Sequence, residues 1–312
     1  MTGKIVTIAL ALGSFPLFAQ LDLSGFWQQE WHTDWQEAVD GPDIADFLGL
    51  PLNAGGKAKA LSFSPSAMSE PERQCIFYTP EYVLGAAVGF RMWSDSDPTT
   101  GTITAWKITG TIDRSPMTIW MDGRPHPPAY ARHTTDGFTT GEWQGDILRT
   151  YTTHMKQGYI RRNGVPSSDQ ATLTMHIIRH GDILTITGAV DDPANLTEPW
   201  VVSKNFQLNP HGQPFINVAP CVPETEIERP ANAEASIPHF LPGKNPFADE
   251  FAKTYHLPAE ATLGGAETMY PEFRKKLKAT YQPPETCTRY CCGGSFGAEG
   301  IPKGCPSSMP PR

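Results

Sequence analysis

The sequence predicts a mainly β fold, in which an antiparallel barrel of about eight strands is followed by a short helical, proline-rich C-terminal extension. The first observation behind this prediction is a series of β-branched and aromatic runs between about residues 75 and 210, in which apolar and polar side chains alternate. The second is that short turn sequences, rather than helical segments, separate these runs. Strands joined in this way pair antiparallel and bury one face.

The chain begins with a short strand at "SGFW" and two predicted short helices, "DIADFLGL" and "NAGGKAKAL", the second with Asn53 as its N-cap. The strand-like runs that follow include "TGTITAWKITGTI", "GDILRTYTTH", "ATLTMHIIRH", "GDILTITGAV" and "PWVVSKNFQL". The turn signal "HGD" at 180–182 predicts that 171–180 and 182–190 pair as a hairpin.

After Cys221 the alternation ends and the sequence becomes rich in proline. Two helices are predicted beyond this point. Asn245 can cap the first, which has Pro246 at its first position and runs to about His256. The second is "ETMYPEFRKKLKA", with Pro271 at or near its start.

The N-terminus has the pattern of a cleavable export signal. Lys4 precedes an apolar run from Ile5 to Leu12, and the small residue Ala19 ends a suitable cleavage site, so residues 1–19 are predicted to be a signal peptide. The apolar run is too short for a membrane anchor, and no span is expected after cleavage. The mature protein is therefore expected to be periplasmic or secreted.

Three regions are expected after the signal: a β-barrel domain at 20–222, an extended and helical arm at 223–284, and a cysteine-rich tail at 285–312. The formal net charge is −8, and no basic run interleaved with aromatic residues occurs. These features argue against a nucleic-acid partner, because phosphate binding needs clustered cations.

Six cysteines are present, an even number that suggests disulfides in an exported chain. Cys75 and Cys221 bracket the predicted barrel and are expected to pair. The tail holds the other four, which are expected to form two bridges there: Cys287, Cys291, Cys292 and Cys305. The two adjacent cysteines would take different partners, since a bridge between neighbours is strained. The alternative for the tail is a zinc site, although two separated C-x₂-C pairs are missing.

The segments "LDLSGFW", "WMDGRPHPP", "GFTTGEWQGDIL", "RRNGVPSSDQATLTMHIIRHGDILTI" and "DDPANLTEPW" occur in this order. Together they resemble a large family of exported bacterial proteins over roughly residues 22–208. The stretch "LPGKNPFADEFAKTYHLPAEATLGGAETMYPEFRKKLK" is similar to the C-terminal extension of one subgroup of that family. This resemblance implies no particular activity and brings no site residues.

A second resemblance is to lipocalin-like barrels, which also begin with Gly-x-Trp near the first strand, here Gly25-Phe26-Trp27. It implies an antiparallel barrel with a small-molecule cavity. The chain departs from that pattern in the insertion at 28–74 and in its C-terminal extension, which affect cavity shape and barrel closure.

The first candidate site is "WMDGRPHPPAYARH" at 120–133. Prolines on both sides of His126 fix φ at about −65° and remove backbone donors, so this histidine lies in a stiff segment that suits a preorganised ligand or base. The alternative is structural: the charged residues satisfy backbone groups, and His126 packs against Trp120.

The second candidate is "THMKQGYIRRNGVPSSDQ", a long connection between strands, a place where functional residues are common. It contains His154, Arg161, Arg162 and Asp169. Adjacent arginines suit a carboxylate, sulfate or phosphate group. Alternatively, they pair with Asp169 and hold the loop in place.

The third candidate depends on which strand faces point inward. Thr152 and His154 are expected to share one face, as are Thr174 and His176. Outward faces would simply be solvated. Inward faces would let His154 and His176 approach His126 or His133 and form a divalent-metal site. No other cofactor is predicted.

The familiar catalytic motifs G-x-S-x-G, Walker A and H-E-x-x-H do not occur. The leading hypothesis is therefore an exported protein that binds a small organic ligand in the barrel. Apolar walls are expected from Trp106, Trp120, Trp143 and Tyr151. Polar groups are expected from His126, His154, His176, Arg161 and Arg162.

Two alternatives stay open. One is an enzyme, a hydrolase, lyase or isomerase in the same pocket, that uses His126 or His154 with Asp169, or a histidine-bound metal. The other is a structural or surface-assembly protein that self-associates through its tail at 285–312.

Overall fold

A computed structural model describes residues 21–30, 45–47, 49–63, 79–82, 89–110, 117–161, 163–213 and 244–280. The predicted signal peptide, Arg162, all six cysteines and the C-terminal tail lie outside the described residues, and the predictions made for them stay predictions. Among the described helices, none has the length and apolar character needed to cross a bilayer.

The described residues form a closed barrel of nine strands, which confirms the predicted mainly β fold. In chain order the strands are β1 (Gly25–Gln29), β2 (Gly89–Ser96), β3 (Ile103–Thr109), β4 (Met117–Trp120), β5 (Phe138–Gln144), β6 (Ile147–Thr153), β7 (Gly158–Tyr159), β8 (Pro166–Ser167), β9 (Thr172–His180), β10 (Ile183–Asp191) and β11 (Trp200–Leu208). Around the barrel the order is β1–β11–β10–β9–β6–β5–β4–β3–β2, and β2 pairs back with β1. The strands β7 and β8 form a separate two-stranded sheet.

The barrel has more strands than the eight or so predicted, and one neighbouring pair, β4 and β5, is parallel. Residues 121–137, called the strap below, connect these two strands. A hairpin would have reversed the chain, but the prolines of the strap lack the N–H groups that a ladder needs. The strap instead runs along the outside of the barrel, and β5 starts in the same direction as β4.

The barrel core follows the predicted alternation. In β9, Leu173, Met175 and Ile177 are buried, while Thr174 and His176 lie on the outer face. The predicted hairpin is confirmed, since β9 and β10 pair along their whole length around Gly181. The largest fully buried side chains of the strands include Trp27, Trp106, Phe90, Phe206, Met92 and Ile119.

Helix α1 (Ala54–Leu61) covers one end of the barrel. Its predicted cap is confirmed, because the Asn53 side chain accepts from the Gly56 N–H at 2.8 Å. A Cβ at Gly56 would lie 2.3 Å from the Asn195 carbonyl oxygen, so only glycine lets the helix approach this closely. The helix predicted in "DIADFLGL" is wrong for its described residues, which form turns: Ala45 and Gly49 have left-handed backbones that an α-helix excludes.

A buried carboxylate organises this end of the barrel. Asp192, which is 1 % exposed, accepts from the N–H of Ser168 at 2.9 Å, its hydroxyl at 2.6 Å and the Asn195 amide at 2.7 Å. It also accepts from the Ala194 N–H at 3.2 Å. Asp192 therefore joins the segment before β9 to the segment after β10. Lys59 of α1 donates to the amide oxygen of Asn195, and so connects the helix to the same group of hydrogen bonds.

The C-terminal arm contains α2 (Phe247–Tyr255), α3 (Ala259–Thr262) and α4 (Pro271–Thr280). Single 3₁₀ turns occur at Pro80–Tyr82 and Ala266–Met269. Both predicted helices are confirmed, and Pro271 is the first residue of α4. The first starts one residue later than expected, with Pro246 as N-cap. Asn245 donates to the Leu61 carbonyl and so attaches the arm to α1.

Candidate functional site

The strap begins with an ion pair that packs on Trp120. Asp122 accepts from the Arg124 N–H at 3.2 Å and from its guanidinium at 2.5–3.0 Å. The guanidinium carbon lies 3.6 Å from the Trp120 ring centroid, a cation–π contact. The hydrogen bond from Arg124 lowers the pKa of the Asp122 carboxyl, so the pair is ionised at neutral pH.

The His126 imidazole lies on the outer wall of the barrel, over the β5–β6 hairpin. Its Nδ1 is 2.8 Å from the Thr153 hydroxyl and its Nε2 is 2.9 Å from the Thr140 hydroxyl. The ring also packs against Phe138 and Tyr151, with centroids 5.1 and 5.2 Å away. Phe138 pairs with Thr153 across the hairpin, and Thr140 pairs with Tyr151. The ring therefore covers two successive cross-strand pairs.

Two further histidines attach the strap to the segment after β6. His154 Nδ1 is 2.7 Å from the Thr153 hydroxyl, and its Nε2 is 3.0 Å from the Pro128 carbonyl oxygen. His133 Nδ1 donates to the Met155 carbonyl at 2.9 Å. The rings of His133 and His154 have centroids 5.2 Å apart. Three histidines thus meet where the strap crosses the hairpin.

The proton positions in this cluster follow from the chemistry of the partners. A carbonyl oxygen only accepts, so Pro128 requires a hydrogen on His154 Nε2, and the neutral ring accepts at Nδ1. Thr153 therefore donates to His154 and accepts from His126 Nδ1. The remaining nitrogen, His126 Nε2, accepts from Thr140. When both imidazoles are neutral, each ring nitrogen in this series of hydrogen bonds has a partner of the opposite kind, donor or acceptor.

Burial lowers the pKa of His126, and the nearby His154 lowers it further through charge repulsion. Both causes favour the neutral ring, in which each of these hydrogen bonds has one donor and one acceptor.

The lowered pKa of His126 gives a pH-dependent stability with a definite sign. As the pH falls, His126 takes up a proton near pH 6.5 in the unfolded chain, but only at a lower pH in the folded chain. We therefore expect the free energy of unfolding to decrease as the pH falls from 6.5 through the folded-state pKa, and the His126→Gln variant to lose this component. Urea denaturation between about pH 5 and 8 measures it. Exposed His180 provides the control variant, His180→Gln, and an unchanged pH slope in His126→Gln would contradict the assignment.

The predicted aromatic residues divide between the two sides of the barrel wall. Trp106 and Trp143 lie on the inner faces of β3 and β5, and Trp106 is fully buried. Trp120 and Tyr151 lie on the outer face. The structure therefore brings Tyr151 to the histidine cluster and separates it from Trp106 and Trp143.

The remaining predicted residues lie apart from the histidine cluster. Arg161, 7 % exposed, donates to the Asp46 carbonyl at the covered end of the barrel. His176 lies on the outer face of β9 beside Arg149. Asp169 is exposed in the turn before β9. These positions do not converge on His126.

The expectation that Thr152 and His154 share a strand face is wrong. Thr152 is buried on the inner face and bonds Thr139 at 2.8 Å. The strand ends at Thr153, and His154 has a left-handed backbone with φ of 58°. This break in the alternation turns the His154 side chain outward, next to Thr153.

No motif of the sequence pointed to Thr140 and Thr153, which bond the histidines. In the structure both lie on the outer face of the β5–β6 hairpin, where threonine is common. Among the described residues, no group of three or more His, Cys, Asp or Glu side chains is arranged to hold a metal ion.

The inner wall of the barrel carries buried polar atoms that, unlike those of the histidine cluster, have no hydrogen-bond partner among the described residues. The indole nitrogens of Trp106 and Trp143 and the hydroxyl of Thr150 are inaccessible to solvent and have no hydrogen-bond partner among the described residues. These atoms project from β3, β5 and β6. Thr150 pairs with Gly141 across the hairpin and with Met175 on its other side, so neither neighbour offers its hydroxyl a side-chain nitrogen or oxygen.

Comparison with protein-family models and with curated proteins finds no match to this chain.

Proposed function

We propose that the protein binds a small organic ligand inside the barrel, held by Trp106, Trp143 and Thr150. One observation carries the proposal: two indole N–H groups and a hydroxyl are buried on the inner wall without a partner among the described residues. Leaving a buried donor unsatisfied costs about 1–3 kcal/mol, and native proteins contain few such groups. A bound acceptor would remove this cost.

The surroundings define the class of ligand. The rest of the inner wall is mainly apolar, with Phe90, Phe206 and Leu148 among its fully buried residues, and it also carries the buried polar side chains of Gln29 and Lys204. A compact, largely apolar molecule with a carbonyl or carboxylate oxygen would match one or more donors and the apolar wall. Barrel diameter grows with strand number, and barrels of about eight strands either fill with side chains or hold one small ligand, so a nine-strand barrel has the size that such a ligand needs.

The side chains next to Thr150 can rearrange. A Cβ at Gly141 would lie 2.7 Å from both the Met121 sulfur and the Ile119 side chain, so these groups fill the space beside the glycine. Methionine is unbranched and adapts to irregular space. Movement of Met121, at the start of the strap, would make room for a ligand beside Thr150.

We expect Thr150→Val to leave the ligand-free protein as stable as wild type or more stable by about 1–2 kcal/mol, because an unpaired hydroxyl is removed. The same variant should bind its ligand about tenfold more weakly. Urea denaturation measures the first effect. Tryptophan fluorescence and native mass spectrometry with benzoate, hexanoate and acetophenone as probes measure the second.

Two controls make this test specific. Thr152→Val removes a hydroxyl that bonds Thr139, and is expected to lower the free energy of unfolding by about 1–3 kcal/mol. Thr174→Val lies on the outer face and should change neither property. Loss of stability in Thr150→Val, or an unchanged affinity for the bound probe, would count against the proposal. So would the absence of binding by all three probes at about 1 mM, the weak limit for a specific site.

A second candidate function rests on the Thr153 hydroxyl, which lies within 2.8 Å of two imidazoles. A neutral histidine oriented by a carbonyl, as His154 is by Pro128, can act as a general base. This candidate requires hydrolysis of an activated ester such as p-nitrophenyl acetate that is lost in Thr153→Val and retained in Thr174→Val. Equal rates in the two variants would exclude Thr153.

A further inference from the structure

The contact between β4 and β5, called the seam below, is the shortest ladder among the described strands of the barrel. It consists of two residue pairs, Ile119 with Thr139 and Trp120 with Thr140. Ile119 also pairs with Trp106 on the other side of β4. The seam therefore borders the inner-wall donors, and its separation would open a route from solvent to them.

The strap holds the seam from outside. It leaves β4 at Trp120 and returns to β5, so its position limits how far the two strands can separate. His126 binds Thr140, which is itself a seam residue. The backbone of Thr134 adds bonds to the His154 carbonyl and the Lys156 N–H, both at 2.9 Å.

Protonation of His126 and His154 weakens the contacts that hold the strap on the hairpin. A proton on His154 Nδ1 ends the hydrogen bond that Thr153 donates to it, and leaves two N–H groups directed at one hydroxyl oxygen. A proton on His126 Nε2 likewise reverses the bond from Thr140. Two imidazolium ions would then contact the same hydroxyl and repel each other.

Neither of these two imidazole rings is hydrogen-bonded to a carboxylate, since their partners are Thr140, Thr153 and the Pro128 carbonyl. Two ion pairs of the strap and the hairpin neutralise themselves: Asp122 with Arg124 and Glu142 with Arg149. The remaining titratable groups of the strap, the hairpin and the segment after it are Tyr130, Arg132, His133, Asp136, Asp146, Tyr151 and Lys156. Among them, His133 adds a third imidazole 5.2 Å from His154.

We propose that protonation of His126 and His154 releases the strap and opens the seam, so that acidification controls passage of the ligand to the inner wall. This inference rests on the proposed function, since it describes the regulation of the same site. The lowered pKa of His126 places the transition below pH 6.5, the ordinary value for histidine.

Hydrogen exchange of the ligand-free protein tests the release directly. After correction for the intrinsic pH dependence of exchange, we expect peptides that cover 117–121 and 138–142 to lose protection about tenfold between pH 7.5 and 5.0. The midpoint should lie below pH 6.5. Unchanged protection, or a midpoint above 6.5, overturns the proposal without recourse to any variant.

A double variant connects the response to the two histidines. His126→Gln with His154→Asn keeps amide groups at both positions but does not titrate, and asparagine tolerates the left-handed backbone at 154. Its strap should stay protected at both pH values, whereas the control His176→Gln should respond like wild type. A pH response that persists in the double variant overturns the assignment.

Ligand binding separates the two proposals. Acetophenone does not titrate, so its association rate should rise at pH 5.0 in wild type and stay constant in the double variant. An association rate that is equal at both pH values in wild type overturns the control of passage. A strap that opens while none of the probes binds at either pH would instead refute the proposed function.

Discussion

Replacing Asp192 with alanine is expected to lower the free energy of unfolding by about 3–5 kcal/mol. The carboxylate accepts hydrogen bonds from Ser168 and Asn195 in a buried site, and the donors would lose their partner together. The two loops would also lose their connection to α1 through Lys59. Urea denaturation followed by circular dichroism measures the change.

Asp191 provides a matched control, because it is adjacent in the chain but exposed at the end of β10. Asp191→Ala should change the free energy of unfolding by no more than about 0.5 kcal/mol. Similar losses in the two variants would show that net charge, rather than the buried hydrogen bonds, determines the effect.

The second large effect is expected for Gly164→Ala, at about 2–5 kcal/mol of lost stability. Gly164 has φ of 87°, where a side chain is strained, and an added Cβ would lie 2.2 Å from the Phe63 ring. Because Phe63 is buried and packs against Tyr159, the ring has little room to move.

Gly101→Ala separates the two causes. Gly101 has φ of 71° and nothing within 4 Å of its Cβ position, so only the backbone strain of about 1–2 kcal/mol applies. The difference between the two variants then measures the clash with Phe63. If both lose the same stability, the packing of Phe63 on Gly164 does not contribute.

The barrel could be predicted because its signal is local and repeated. The alternation in β9 and β10 is visible in the sequence and matches their burial residue by residue. The turn at Gly181 and the cap at Asn53 depend on neighbours in the chain, and both were predicted correctly.

The candidate site could not be predicted to the same extent, because it depends on contacts between distant segments. The proline pattern indicated that the strap is stiff, but not that it crosses the β5–β6 hairpin. The position of His154 depends on a left-handed backbone at a residue that is neither glycine nor asparagine, which no alternation rule anticipates.

Asp192 illustrates the same limit. A carboxylate at the end of a strand usually forms a turn, and its bond to the Ala194 N–H fits that interpretation. Its partner Ser168 is 24 residues away in the chain. The sequence alone does not show that these two loops meet, so the buried role of Asp192 required the structure.

The closure of the barrel by β1 has a consequence for biosynthesis. This five-residue strand pairs with both β2 and β11, so Trp27 meets Phe90 on one side and Leu208 on the other. Among the described strands it is the first to be synthesised, yet one of its edges has no partner until β11, the last of these barrel strands, emerges. Until then the sheet has unpaired edge strands, and such edges can pair with strands of other chains and cause aggregation. A chain shortened before β11, or trimmed through β1, would keep such edges permanently.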